Sequence, residues 1–219
     1  MHNQKDCIYF DICTNECAPN CIRYLQMNRL LELSNLPDKL RKPIKIYATN
    51  DNAAYQQLDD IKTHVVDFVE GGKNLYICSR FTGNAKTTWA VKIMLKYFDK
   101  KWPKSYDVTR GLFVHVPTLL LDIKKFNEMP EYISRIKDAD LVVWDDIAIS
   151  KLTEFEHEQL LQFIDSRITN GKSNIYTSNI TDQSDLIAFI GGRLSSRIYS
   201  QSKVIEFFAG DFRVDGGND

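Results

Sequence analysis

The stretch that most constrains this chain is residues 73–88. A short apolar run, Asn74–Cys78 (NLYIC), passes through Ser79-Arg-Phe-Thr-Gly-Asn-Ala-Lys-Thr-Thr88 into a helical pattern over residues 86–98. A strand that turns straight into a helix commits the chain to a βα unit. The loop has the chemistry of a phosphate cradle, which needs backbone N–H groups at a helix N-terminus, a lysine charge and a hydroxyl for magnesium. Lys86 supplies the charge and Thr87 the hydroxyl, with Asn84, Ala85 and Thr88 beside them, and Gly83 permits the tight turn. The match to G-x-x-x-x-G-K-[ST] is imperfect. Arg80 stands at the first glycine, where it contacts phosphate or distorts the turn. Ala85 stands at the last, a small change that a near-helical position accepts.

The alternation begun there continues. Residues 111–116 (GLFVHV) read as a strand, 117–126 as a helix, and 140–144 (DLVVW) as a strand. Thr153 and Glu156 form a T-x-x-E capping box for the next helix. Its apolar face is Leu160, Leu161, Phe163, Ile164 and Ile168, and Gly171 ends it. Residues 173–177 (SNIYT) and 203–208 (KVIEFF) complete five strands. Strands alternating with helices predict an α/β domain with three αβα layers and a largely parallel five-stranded sheet. Upstream, residues 29–33 carry a short helical pattern. Residues 52–70 carry a longer one, with Tyr55, Leu58, Ile61, Val65, Val66 and Val69 on one face.

The strand Leu141-Val-Val-Trp-Asp-Asp146 ends in two acids, where α/β proteins place ligands. One βα unit fits between it and Lys86. This spacing assigns Asp145 to the magnesium shell and Asp146 to orienting or deprotonating an attacking water. The two motifs together predict binding of ATP with Mg2+.

Four of the five cysteines, Cys7, Cys13, Cys17 and Cys21, fall within the first 21 residues. The spacing is not the familiar C-x2-C…C-x2-C, and Pro19 interrupts a regular helix. A unit this small lacks a core of its own and needs a staple. Structural Zn2+ on the four thiolates, an iron–sulfur cluster, or no metal are the alternatives, with zinc leading. The organisation expected is therefore a Cys-rich module over residues 1–26, a linker with helices over 27–72, an ATPase core over 73–214, and a disordered tail over 215–219.

A hydrophobic fraction of 43% and a charged fraction of 26% suit a soluble globular protein and exclude low-complexity classes. A net charge of −1 leaves any contact with DNA to local basic residues such as Arg110, Lys124 and Lys125. No run approaches the roughly 18–20 apolar residues of a membrane span, and the N-terminus is not a secretory signal. The expected place is the cytoplasm, with no membrane partner.

Taken in order, several motifs resemble the DnaC/DnaI-type replicative helicase loaders, which are AAA+ ATPases common in phage genomes, and the related IstB-type transposition ATPases. The resemblance runs from about Leu36 to Arg213. Leu36-Pro37 with Arg41 resembles the segment ahead of the family's core. Val116-Pro117-Thr-Leu-Leu120 resembles its V-P-x-L-L, and Trp144-Asp-Asp-Ile147 its L-D-D-I box. Thr153-Glu-Phe-Glu156 resembles the start of the helix that follows, and Tyr176-Thr-Ser-Asn179 its T-S-N sensor. Gly192-Arg193-Leu-Ser-Ser-Arg197 resembles its R-[IL]-x-S-R box, and Gly210-Asp-Phe-Arg213 its terminal G-x-D-[YF]-R, shortened by one residue. The resemblance implies Asn179 as the sensor that positions water near the γ-phosphate. It implies Arg197, with Arg193 as rival, as an arginine finger for a neighbouring subunit, and Arg213 as a nucleotide sensor. It also implies partners: a DnaB-type replicative helicase, single-stranded DNA, and further copies of the chain in a bacterial host. A non-hydrolysing adaptor and an IstB-like transposition ATPase are the alternatives.

Overall fold

The structure is a computed structural model that describes residues 7–9, 13, 20–41, 46, 51–101, 108–125 and 129–208. Five strands, β1 (Asn74–Cys78), β2 (Gly111–His115), β3 (Leu141–Asp145), β4 (Ser173–Ser178) and β5 (Ser202–Glu206), form one sheet in the order β2-β3-β4-β1-β5. Every pairing is parallel. β1, β3 and β4 are buried along their whole length, which is why β1 and β3 read as largely apolar runs, whereas β4 (SNIYTS) is buried with polar side chains among its residues.

The helices follow as α1 (Ile22–Leu33), α2 (Asp38–Arg41), α3 (Asn52–Thr63), α4 (Val65–Glu70), α5 (Lys86–Lys100), α6 (Val116–Asp122), α7 (Glu131–Arg135), α8 (Glu154–Thr169), α9 (Gln183–Ile190) and α10 (Gly192–Ser195), with a π-helical turn at Ser196–Ser200. Alternate strand residues serve two cores, as a period of two dictates. Leu75, Ile77, Val143 and Ile175 pack with α1, α3, α4 and α5. Tyr76, Val142, Trp144 and Tyr176 pack with α6, α8, α9 and the π-turn. The three-layer αβα architecture and the five-stranded sheet are as the sequence predicts.

Local differences have local causes. The pattern over 52–70 is two helices, not one. At His64 the backbone leaves helical geometry (φ −100°, ψ 32°). There the Thr63 hydroxyl and the His64 ring bond back to the carbonyls of Asp59 and Asp60, competing with the helix. The helix expected over 117–126 is α6, which ends at Asp122, and residues 126–128 lie outside the described set. α8 begins at the capping box as expected, with Glu156 Oε2 accepting from the Thr153 N–H at 2.8 Å. Its buried stripe is Glu156, Leu160, Ile164 and Arg167 rather than the apolar set alone.

The outer edge of β2 is covered. Phe113 donates its N–H to the carbonyl of Ser34 at 2.7 Å, and Asn35 Nδ2 donates to the carbonyl of Phe113 at 3.1 Å. This fixes the lead-in at Leu36-Pro37, where Arg41 Nε donates to the Leu36 carbonyl. Further upstream, Tyr9 is buried and donates to Asp99 at the end of α5, with the Arg23 guanidinium 3.7 Å above its ring. Cys7, Cys13 and Cys21 form no disulfide among the described residues; Cys17 lies outside them. Among the described residues no group of three or more His, Cys, Asp or Glu is placed to hold a metal. No described helix is long and apolar enough to cross a membrane.

Candidate nucleotide site

The sheet order decides what meets at its carboxyl end. β4 lies between β1, which feeds the phosphate loop, and β3, which carries the acids. Ser79 follows the end of β1, fully buried, and its hydroxyl accepts from Phe81 N–H at 3.1 Å and from Asn84 Nδ2. The loop turns at Gly83 (φ +75°) and again at Ala85 (φ +66°). Ala85 is therefore not in a near-helical conformation but in the left-handed one, which costs an L-residue about 1–2 kcal/mol. α5 then starts at Lys86 with no side-chain cap and no acid in its first turn. Its first N–H groups are left for an anion, as in a phosphate cradle.

Lys86 is 7% exposed, and its Nζ donates to the Phe81 carbonyl at 2.8 Å and to Asn84 Oδ1 at 3.0 Å. The lysine is thus folded into its own loop. Thr87 Oγ1 donates to Asp145 Oδ1 at 2.6 Å, and Thr177 Oγ1 donates to the same oxygen at 2.8 Å. Thr88 follows in the first turn of α5. Burial raises the Asp145 carboxyl above the ordinary range, and the charge of Asp146 adds to this; the two hydroxyls oppose it. Asp146 adopts φ +60°, and its carboxylate lies 3.7 Å from His115 Nε2.

The other residues singled out in the sequence fall as follows. Asn179 is exposed, just past the end of β4. Arg80 is exposed, its Nε donating to Thr181 Oγ1 at 3.3 Å. Arg197, in the π-turn, pairs with Asp165 of α8 at 2.7 Å, while Arg193 is exposed. Arg213 lies outside the described residues. Arg110, Lys124 and Lys125 are paired with Asp140, Glu156 and Asp122. Sequence reasoning missed the roles open to Thr177 and His115. Their signal was a polar residue at or next to the carboxyl end of its strand.

The arrangement suits a triphosphate with a divalent ion. Backbone N–H groups at the start of α5 and the Lys86 ammonium are the donors a phosphate would need. Thr87 and Asp145 offer two hard oxygens, the donors magnesium prefers, so the residues present fit the ion. Sheet order, loop and acids together define an α/β P-loop fold of the AAA+ type.

No protein-family model and no curated protein matches the sequence. Solved structures do match the fold. The DnaC helicase loader matches with a TM-score of 0.62 at 20% identity, over 75% of this chain and 94% of that one. DnaI matches with a TM-score of 0.64 at 19% identity, over 84% of this chain and 98% of that one. The replication initiator DnaA, bound to AMPPCP and single-stranded DNA, matches with a TM-score of 0.57 at 15% identity, over 75% of this chain and 48% of that one. The chain has the fold of these replication proteins.

Proposed function

We propose that this chain binds ATP with Mg2+ and acts as a helicase loader, delivering a DnaB-type replicative helicase to single-stranded DNA during replication initiation. Gly83, Asn84, Ala85, Lys86, Thr87 and Thr88 cradle the phosphates. Thr87 and Asp145 would hold the metal, whose charge would offset that of the phosphates. Asp146 orients the attacking water and Asn179 senses the γ-phosphate. Arg197 serves a neighbouring copy when nucleotide drives self-association, and Arg213 senses nucleotide within the chain. The observation that carries this reading is the 2.6 Å contact between Thr87 and Asp145, residues 58 positions apart that meet where a magnesium ion would be needed. The likeness in fold to DnaC and DnaI supports the loader role.

The test is nucleotide binding and hydrolysis by the purified chain with and without single-stranded DNA, followed by capture of a replicative helicase. Lys86-dependent binding of Mg-ATP and nucleotide-dependent association with the helicase are expected. No nucleotide-dependent contact with any replicative helicase would refute the loader role. A second reading, the non-hydrolysing adaptor, is favoured by the left-handed Ala85 and by Lys86 bonded to its own loop. It expects binding without turnover. An IstB-like role instead expects double-stranded DNA and a transposase.

A further inference from the structure

The ladder between β3 and β4 pairs Trp144 with Tyr176 and then stops. Beyond it, Thr177 makes most of the junction. Thr177 Oγ1 accepts the N–H of Asp146 at 3.0 Å and donates its own proton to Asp145 Oδ1 at 2.8 Å. The Thr177 carbonyl accepts the N–H of Ile147 at 2.9 Å, and the next hydroxyl, Ser178 Oγ, donates to the Ile147 carbonyl at 3.0 Å. The turn so splinted is strained, because Asp146 (φ +60°) and Ala148 (φ +67°) both hold left-handed conformations without being glycine. Such conformations persist only where the surroundings over-determine them.

We infer that Thr177 is a positioning residue of the nucleotide site, and that its single hydroxyl sets both acids at once. This rests on the proposed Mg-nucleotide reading. A hydroxyl has one proton. Because the Asp146 N–H occupies a lone pair, that proton is directed at Asp145, which fixes the carboxylate rotamer. The same bond holds the backbone of Asp146, whose conformation aims its side chain. Thr87 also donates to Asp145, but it belongs to the loop and is the hydroxyl a metal would recruit. Thr177 is fully buried on the central strand and keeps its hold in either state. Among the described residues its strand is the one that lies between β1 and β3.

The experiment compares the wild type with Thr177→Val, which keeps the shape and loses the hydroxyl, and Thr177→Ser, which keeps the hydroxyl. Nucleotide binding is titrated against Mg2+ and repeated in EDTA. For Thr177→Val the Mg2+ needed for half-maximal binding should rise about tenfold, with binding in EDTA unchanged. Thr177→Ser should return to within about twofold of wild type. If Thr177→Val does not fold, Thr177→Cys, a poor donor of similar size, takes its place with the same expectation. An unchanged Mg2+ requirement in the hydroxyl-free variant overturns the role, as does a serine variant impaired as much as the valine one. A wild type that binds no nucleotide, with or without metal, overturns the proposed function itself and this role with it.

Discussion

The ammonium of Lys86 lies 2.8 Å from the carbonyl oxygen of Phe81, five residues back in the same loop. With Asn84 Oδ1 as a second acceptor, the lysine satisfies the loop internally. Phosphate must therefore exchange for these bonds rather than enter an open charge. Charge-assisted hydrogen bonds contribute about 1.5–3 kcal/mol each. Lys86→Ala should weaken triphosphate binding at least about 100-fold, since each 1.4 kcal/mol is tenfold. Fluorescent-nucleotide titration measures this, and wild-type affinity in the variant would remove Lys86 from the site.

Ala85 gives a prediction of opposite sign. Its left-handed conformation is one that glycine adopts at no steric cost. Ala85→Gly should stabilise the protein by about 1 kcal/mol and raise Tm by about 2–4 °C for a chain of this size. It also restores the small residue of the phosphate-loop pattern, so nucleotide affinity should not fall. Ala85→Val, β-branched at a positive φ, should destabilise. Thermal unfolding of both variants decides the matter; a destabilised glycine variant would mean the strain is absent.

Asp145 ties function to pH. Its folded-state pKa is raised, so the folded protein holds a proton there more tightly than the unfolded chain does. That favours folding fully below the ordinary carboxylate value of about 4, and the advantage is lost as pH rises through the raised value. At neutral pH the buried charge opposes folding. Asp145→Asn keeps an oxygen for the Thr87 and Thr177 hydroxyls and removes the charge. It should be more stable than wild type by about 1 kcal/mol at pH 7, with the gap closing toward pH 4. The same variant should lose Mg2+-dependent nucleotide binding. Chemical denaturation across pH, beside binding assays, would expose a constant gap or retained binding as contrary results.

These three residues also mark how far the sequence reached. Strands β1 and β3 were legible because a parallel sheet buries both faces and leaves largely apolar runs. The cap at Thr153 and Glu156 was legible because its chemistry is local. Ala85 was placed correctly in the loop, but alanine does not announce a positive φ. Thr177 was read as a strand residue within a sensor motif. Its two acids come from a strand that is its neighbour in space but not in sequence, and only the order β2-β3-β4-β1-β5 brings them together. Arg167 was invisible for another reason: a cation in an amphipathic helix pattern reads as solvated surface.

In the structure Arg167 is fully buried. Its Nε donates to Asn174 Oδ1 at 2.7 Å, Nη1 to the carbonyls of Ile136 (2.6 Å) and Ala139 (2.8 Å), and Nη2 to the carbonyl of Ser173 (2.6 Å). Burial lowers the guanidinium to about 10, so it stays charged at neutral pH. Asn174 extends the network to Trp144 Nε1 and to Asn74, joining β3, β4 and β1. Arg167→Met fills much of the volume but leaves three carbonyls and an amide oxygen buried without this donor, each costing about 1–3 kcal/mol where no water replaces it. Arg167→Lys restores charge but not the planar fork that reaches four acceptors. Arg167→Met should destabilise by about 3–5 kcal/mol and Arg167→Lys by at least about 2 kcal/mol. Neither touches the phosphate loop, so the folded fraction should bind nucleotide with wild-type affinity. Urea unfolding with an unchanged m-value, paired with nucleotide titration, tests both halves. A loss below about 1 kcal/mol would mean that the network relaxes around the missing fork.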